Sequence, residues 1–262
     1  MALVRERRRA RPDAVASAPA ALDRLGVLPE LAAIASATAA YFLANDLIRG
    51  RAHMAILSGR DILAFEQTYH LAPEQALHSL GLRYPWLLDW ATLLYFAGHL
   101  PLLFAVAVWL YRSNRAAYPW FRNAFLISAL VGFAVYIVLP VAPPRLLPGF
   151  VGNIGDTMSD AMGDPLGGSA LGRSVLDALV DPYGAMPSLH VAWAFLAGTA
   201  LALRAHPRWV RLAGGLWPLL MILVVLVTAN HYLLDTVAGL ALAVGSLAAA
   251  ASLTRLTHAR PG

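Results

Sequence analysis

Residues 86–110 read WLLDWATLLYFAGHLPLLFAVAVWL, a run in which Asp89 is the only formally charged side chain. At a rise of ~1.5 Å per residue, a helix of this length exceeds the ~30 Å hydrocarbon core of a bilayer. The stretch therefore reads as a transmembrane helix. Five further apolar runs flank it: Leu28–Ile48, Trp120–Leu139, Met186–Leu203, Leu212–Thr228 and Tyr232–Leu253. The whole chain agrees, since its 262 residues are 59% hydrophobic and only 13% charged, with a mean hydropathy of +0.60. A soluble domain carries about 25% charged residues, so a water-soluble globule is excluded. The expected fold is all-α and polytopic: six transmembrane helices forming one catalytic domain over residues 28–253, between a basic tail at 1–27 and a short tail at 254–262. The arginines ahead of the first run resemble the start of a secretory leader. The run begins late and no small-residue cleavage site follows it, so it reads as a retained span.

The charge sets the orientation. All twenty basic residues are arginine, giving a net charge of +5, and they fall in short clusters between apolar runs rather than along one polar face. That pattern argues against nucleic acid as a partner. Fourteen lie in alternate connections (Arg5, Arg7, Arg8, Arg9, Arg11, Arg24; Arg112, Arg115, Arg122; Arg204, Arg208, Arg211; Arg255, Arg260). Six lie in the longer remaining ones (Arg49, Arg51, Arg60, Arg83, Arg145, Arg173). By the positive-inside rule both termini are cytoplasmic, and the loops at about 49–85 and 140–187 face outward from a membrane expected to be the bacterial plasma membrane. Within the first outer loop, Met54, Ile56, Leu57, Ile62 and Phe65 at mixed helical spacing, then Pro73-Glu74-Gln75 as a helix start, predict short interfacial helices. The second loop is rich in Gly, Pro and Asp, with a helical insert expected around Ser174–Val180. It cannot sit in lipid and must cover or line something.

The chain has no cysteine, which removes disulfides, thiolate nucleophiles and thiolate metal sites. Three outer span ends gather the remaining reactive groups: Ala142-Pro143-Pro144-Arg145, Gly184-Ala185-Met186-Pro187-Ser188-Leu189-His190, and Asn230-His231-Tyr232-Leu233-Leu234-Asp235. A spacing of four puts His231 and Asp235 on one helix face. The carboxylate can then accept from one imidazole nitrogen and leave the other as a lone pair, which makes a histidine a base or nucleophile. Ionisable groups near a bilayer are costly, and several on one side point to function.

Pro187-Ser188-Leu189-His190 together with His231-Tyr232-Leu233-Leu234-Asp235 resembles the type 2 phosphatidic acid phosphatase superfamily. It is closer still to its inositol phosphorylceramide synthase branch, with Pro-Ser-x-His and His-Tyr-x-x-Asp signatures. The resemblance implies metal-independent phosphoryl transfer without a cofactor, from a lipid phosphate or phospholipid. His231 would attack phosphorus, Asp235 would orient it, and His190 would protonate the leaving oxygen. The chain departs from the superfamily's first motif, having no lysine and only Pro143-Pro144-Arg145 in that place. It departs again where Val224 and Val225 stand for the usual Ser-Arg. Arg145 is left as the main phosphate clamp.

The chemistry is coherent on its own terms. Phosphoryl transfer needs an in-line nucleophile, a proton donor for the departing oxygen and cations around the equatorial oxygens; His231, His190 and Arg145 supply one of each. Ser188 adds a hydroxyl contact or caps a helix, two compatible roles. His99, one turn from Tyr95, reads as a buried polar contact to a neighbouring helix. Trp86, Trp90 and Trp120 fit an interfacial belt. Asn45 and Asp46 brace the active face or meet water. Asp156, Asp160, Asp164, Asp177 and Asp181 read as turn and cap residues more readily than as a grip on a polyol. Transfer to an alcohol and hydrolysis by water share the same first step. Two other classes stay open: a metal enzyme, because two histidines and a carboxylate also make a facial triad, and a non-catalytic lipid-binding or transport protein. Oligomeric state is not legible in the sequence.

Overall fold

A computed structural model describes residues 27–150 and 183–258 of the chain. Among the described residues the architecture is all-helical: α1 Val27–Arg49, α2 Ala52–Thr68, α3 Pro73–Arg83, α4 Pro85–Leu93, α5 His99–Ser113, α6 Tyr118–Val138, α7 Leu189–Arg204, α8 Arg208–Val227 and α9 Leu233–His258. The tail arginines Arg5 to Arg24, Arg173, the five loop aspartates and the expected insert at Ser174–Val180 lie outside the described residues.

Among the described residues, five helical segments are long and apolar enough to cross a membrane: Leu28–Arg49, Pro85–Ser113, Tyr118–Val138, Arg208–Val227 and Leu233–Arg255. They match five of the six expected runs to within a few residues. The remaining one, expected from Met186, starts only at Leu189 and is 16 residues long. Its start is fixed by Ser188, an extended N-cap whose hydroxyl accepts from the Val191 N–H at 3.3 Å. At ~1.5 Å per residue α7 covers only about 24 Å. Its position explains that length: α7 packs against α5, α6, α8 and α9, and Val191, Ala192, Ala194, Leu196, Ala197 and Ala200 are buried. A helix shielded by its neighbours is sized by packing rather than by lipid thickness.

The outer helices turn apolar stripes outward. Leu212, Leu216, Leu219 and Leu223 on α8, and Leu100, Phe104 and Val108 on α5, are exposed at helical spacing. In water such stripes would be an aggregation liability, and against lipid they are solvated. Between α7 and α8 the backbones touch: a Cβ on Gly198 would stand 2.4 Å from the Gly214 carbonyl oxygen. Small residues permit this approach where the hydrophobic effect cannot drive helices together. At the arginine-rich end, Glu30 of α1 pairs with Arg122 of α6 at 2.6 Å and accepts from the Tyr118 hydroxyl at 2.8 Å, tying the first span to the bundle.

One span is irregular. Between α4 and α5, Leu94–Gly98 forms a π-turn. Pro101 lacks the N–H that would bond the Ala97 carbonyl, and its ring crowds that carbonyl, so the helix widens there. π-turns of this kind mark functional sites, and this one carries Tyr95 next to His99.

Helices α2 and α3 occupy the connection between the first two spans, with Pro73 in the first turn of α3 as expected. Met54, Leu57 and Phe65 face out. The opposite faces bury Ala55, Gly59 and Glu66 on α2, and Glu74, His78 and Gly81 on α3. α3 packs on α8, while α2 meets α9 and the short 3-10 turn Pro144–Leu146. The pair thus lies over the end of the bundle where the motif loops gather. Trp86 and Trp90 are exposed as a belt would require, but Trp120 donates its Nε1–H to the Leu247 carbonyl at 3.3 Å and so also serves packing. Asn45 is buried, accepting from Arg49 Nε at 3.2 Å, while Asp46 faces out.

Candidate active site

The three motifs, far apart in sequence, meet at one end of the bundle. Val141 donates to the Tyr183 carbonyl at 2.8 Å and accepts from Ala185 N–H at 3.2 Å, a single parallel bridge that joins the first motif to the second. Ser188 N–H donates to the Asp235 carbonyl at 3.0 Å, joining the second to the third, and Arg145 N–H donates to the Ala229 carbonyl at 3.1 Å, joining the first to the third. The Tyr136 hydroxyl on the Pro187 carbonyl (2.9 Å) and the Tyr232 hydroxyl on the Ala142 carbonyl (2.8 Å) lock the same loops from the side.

His231 follows a sharp exit from α8. Ala229 has φ of +49°, a left-handed conformation costing a residue with a Cβ ~1–2 kcal/mol. Its fully buried position and the bond to Arg145 hold it there. The turn lets the N–H groups of Asn230 and His231 both reach the Val225 carbonyl, at 3.0 and 3.3 Å.

His231 Nδ1 lies 2.8 Å from the Ala185 carbonyl oxygen. A carbonyl only accepts, so the proton is assigned to Nδ1 and the lone pair to Nε2. Asp235 Oδ2 is 3.4 Å from the same Nδ1 and also accepts the Tyr232 N–H at 2.9 Å, capping α9 as it faces the imidazole. The backbone carbonyl is therefore the acceptor of this proton, and the Asp235 carboxylate stands beside the ring rather than bonded to it. Nε2 is buried and, among the described residues, makes no hydrogen bond.

His190, the second residue of α7, places its ring centroid 5.9 Å from that of His231. The Tyr95 ring stacks on it at 4.0 Å and 19°. His99 stands 4.9 Å away, itself parallel to Trp193 at 6.2 Å. His99 does meet the neighbouring helix, but by ring contact; both its nitrogens are buried without hydrogen bonds. The π-turn brings Tyr95 and His99 to one side of their span, where α7 presents its histidine.

Arg145 projects from the 3-10 turn, with its Nε donating to Asn230 Oδ1 at 2.7 Å; Asn230 in turn donates from Nδ2 to the Thr228 hydroxyl at 2.8 Å. Desolvation pulls the guanidinium below its ordinary pKa, opposed by the nearby Tyr95, yet an arginine keeps its charge in proteins. A guanidinium fixed through Nε next to the residue preceding His231 can address a phosphate with its two terminal nitrogens. Ser188 is fully buried with its hydroxyl engaged as the cap of α7.

Some contributors were not evident in the sequence. Tyr95 and Asn230 are drawn in by contacts between elements distant in the chain. Glu66 caps the start of α9 from α2, its Oε1 accepting from Leu234 N–H at 2.6 Å. Glu74 had signalled only a helix start. Among the described residues, no three His, Asp or Glu side chains are grouped so as to hold a metal ion.

The family model described as PAP2 superfamily matches residues 60–249, and the chain belongs to that superfamily. A curated relative, phosphoinositol dihydroceramide synthase of Bacteroides thetaiotaomicron, is 27% identical over 155 residues, which cover 55% of this chain and 48% of the relative. The match thus spans about half the length of that protein. No solved structure matches the chain.

Proposed function

We propose that this member of the PAP2 superfamily is a lipid phosphotransferase working through a phosphohistidine at the extracytoplasmic membrane face. The observation that carries the reading is the state of His231: Nδ1–H is held by the Ala185 carbonyl with Asp235 beside it, and Nε2 is left as a buried, unengaged lone pair. Nε2 attacks phosphorus of a lipid phosphate or phospholipid, forming the N–P bond as the bond to the leaving oxygen breaks. His190 gives that oxygen its proton. Arg145 and the Ser188 region stabilise the charge on the equatorial oxygens. An alcohol or water then gives its proton to His190 and attacks the phosphohistidine, releasing His231. A positioned acid–base group contributes ~10²–10⁴-fold to such steps.

The relative's name supports transfer of a phosphoalcohol to a lipid alcohol over plain hydrolysis; a lipid phosphate phosphatase is the second reading, because the first half-reaction is common to both. The direct test is mass spectrometry of lipids after incubating the purified chain with isotope-labelled phosphatidic acid or phosphatidylinositol, with and without a ceramide or polyol acceptor, in the presence of a chelator. Transfer or release of the labelled group under chelation is expected. Activity lost on chelation and restored by one divalent ion would move the histidines to a metal mechanism, and an unchanged lipid pool would favour a binding or transport role.

A further inference from the structure

Glu66 lies near the end of α2 and Glu74 near the start of α3, and both are 0% exposed. Glu66 Oε1 accepts from Leu234 N–H at 2.6 Å. The Glu74 carboxyl lies against that of Glu66 and near Leu233 N–H, without a geometrically sound bond to the latter. The first N–H groups of any helix lack partners within it. Here two acids from a separate helical hairpin attend the first turn of α9, while Asp235 takes Tyr232 N–H. That turn begins two residues after His231.

Three carboxyl oxygens of the pair, Glu66 Oε2 and both of Glu74, are buried and receive no hydrogen bond. Among the described residues, the side chains acting on the pair are each other and Asp235, with Tyr232 and His78 nearby, while Arg145 on the 3-10 turn that α2 meets is bonded through Nε to Asn230. Asp235 of α9 is another acid, and Tyr232 is a phenol whose ionisation burial and then Asp235 oppose. Burial pushes His78 of α3 below its ordinary pKa, against the pull of the Val227 carbonyl 2.6 Å from its Nδ1. Two buried carboxyls side by side resist ionising together. A single proton between them supplies the missing donor.

We propose that Glu66 and Glu74 are a proton-sharing carboxyl pair that positions the first turn of α9, and through it His231 and Asp235, so that removal of the shared proton disables the site. The consequence for catalysis rests on the reading of His231 given above. Burial holds Glu66 up at about 8 from its ordinary 4.5 against the pull of Leu234 N–H, with Glu74 and Asp235 adding to the rise, and burial raises Glu74 as well. Between those two values the folded chain keeps a proton that the unfolded chain has lost. Stability therefore falls as pH rises from 4.5 towards 8, where the charge gained by Glu66 meets Glu74 and Asp235.

The test uses the full chain in lipid nanodiscs. Infrared titration is expected to show a protonated-carboxyl band at pH 7 that disappears with a midpoint near 8 and is missing in Glu66→Gln. In that variant the amide accepts from Leu234 and donates to Glu74, so no proton is needed. The His231 signal in 15N-histidine-labelled protein, assigned with His231→Ala, should move with the same midpoint. The rate on p-nitrophenyl phosphate should fall about tenfold per pH unit above that midpoint. Glu66→Gln and Glu74→Gln should each retain the pH 7 rate and lose the alkaline fall, whereas Glu66→Ala should drop on the order of 10²-fold at every pH. A merely structural pair would lower rates equally at all pH values. No band titrating near pH 8, a His231 signal indifferent to it, or an alkaline fall persisting in both Gln variants would overturn the proposal. Absence of turnover by the unaltered chain would instead count against the proposed reaction, while the infrared and 15N titrations still decide the pair.

Discussion

Gly239→Ala is a one-carbon perturbation of the contact that sets α9 against α7. A Cβ at Gly239 would stand 2.4 Å from the Ser188 carbonyl oxygen, against an ordinary contact of at least 3.4 Å, so the backbones must part by about 1 Å. Both partners are backbone and cannot swing away. The same residue, Ser188, donates its N–H to the Asp235 carbonyl at 3.0 Å, so the displacement moves His190 away from His231 and Asp235. Overpacking of this kind costs ~1–3 kcal/mol of stability, and a 1 Å misplacement of catalytic groups costs on the order of 10²-fold in rate. Gly245→Ala on the same helix is the control: nothing lies within 4 Å of its added Cβ, and removing a helical glycine should stabilise by ~0.5–1 kcal/mol. The assay is thermal unfolding in detergent alongside initial rates on phosphatidic acid and p-nitrophenyl phosphate. Gly239→Ala retaining the unaltered rate would refute the claim that this contact sets the site, as would an equal loss in Gly245→Ala.

Three further outcomes are expected. His190→Ala should slow turnover of a lipid phosphate ~10²–10⁴-fold but an aryl phosphate far less, because an activated leaving oxygen scarcely needs a proton; equal losses on both substrates would remove His190 from the acid role. Arg145→Lys keeps the charge but loses the planar fork and the Nε bond to Asn230, and rates on both substrates should fall together by about 10–100-fold; an unchanged rate would show that another cation holds the phosphate. Reporters fused at Arg115 and Arg208 should read cytoplasmic and one inserted at Gly163 external, and an external reading at Arg208 would reverse the assigned face.

The spans were legible because apolar run length is a local property of sequence, and five of the six runs correspond to crossing-length helices. The fourth run overstated its helix. Hydropathy counts Met186 and Pro187 as membrane residues, while backbone chemistry gives Ser188 the cap and starts α7 one residue later. Ser188 with His190, and His231 with Asp235, stand out as motifs because each pair lies within one or two turns, and the structure brings these candidate residues to one end of the bundle. What spacing could not carry was the surroundings. Arg145 is anchored by Asn230, eighty-five residues away, and His231 Nδ1 is held by the Ala185 carbonyl, forty-six residues away. Tyr95 reaches His190 from a π-turn of its span, ninety-five residues earlier in the chain. Glu66 and Glu74 sit on helices whose mixed composition reads as interfacial, yet their carboxyls are fully buried against the start of α9.

In the proposed reaction, His231 forms the covalent bond to phosphorus. Rapid alkaline quenching during turnover of a 32P-labelled lipid phosphate, followed by peptide mapping, measures it most directly. Label is expected on the peptide containing His231, lost in His231→Ala and discharged by an added alcohol or water. Label that persists in His231→Ala, or that maps to another side chain, would contradict it.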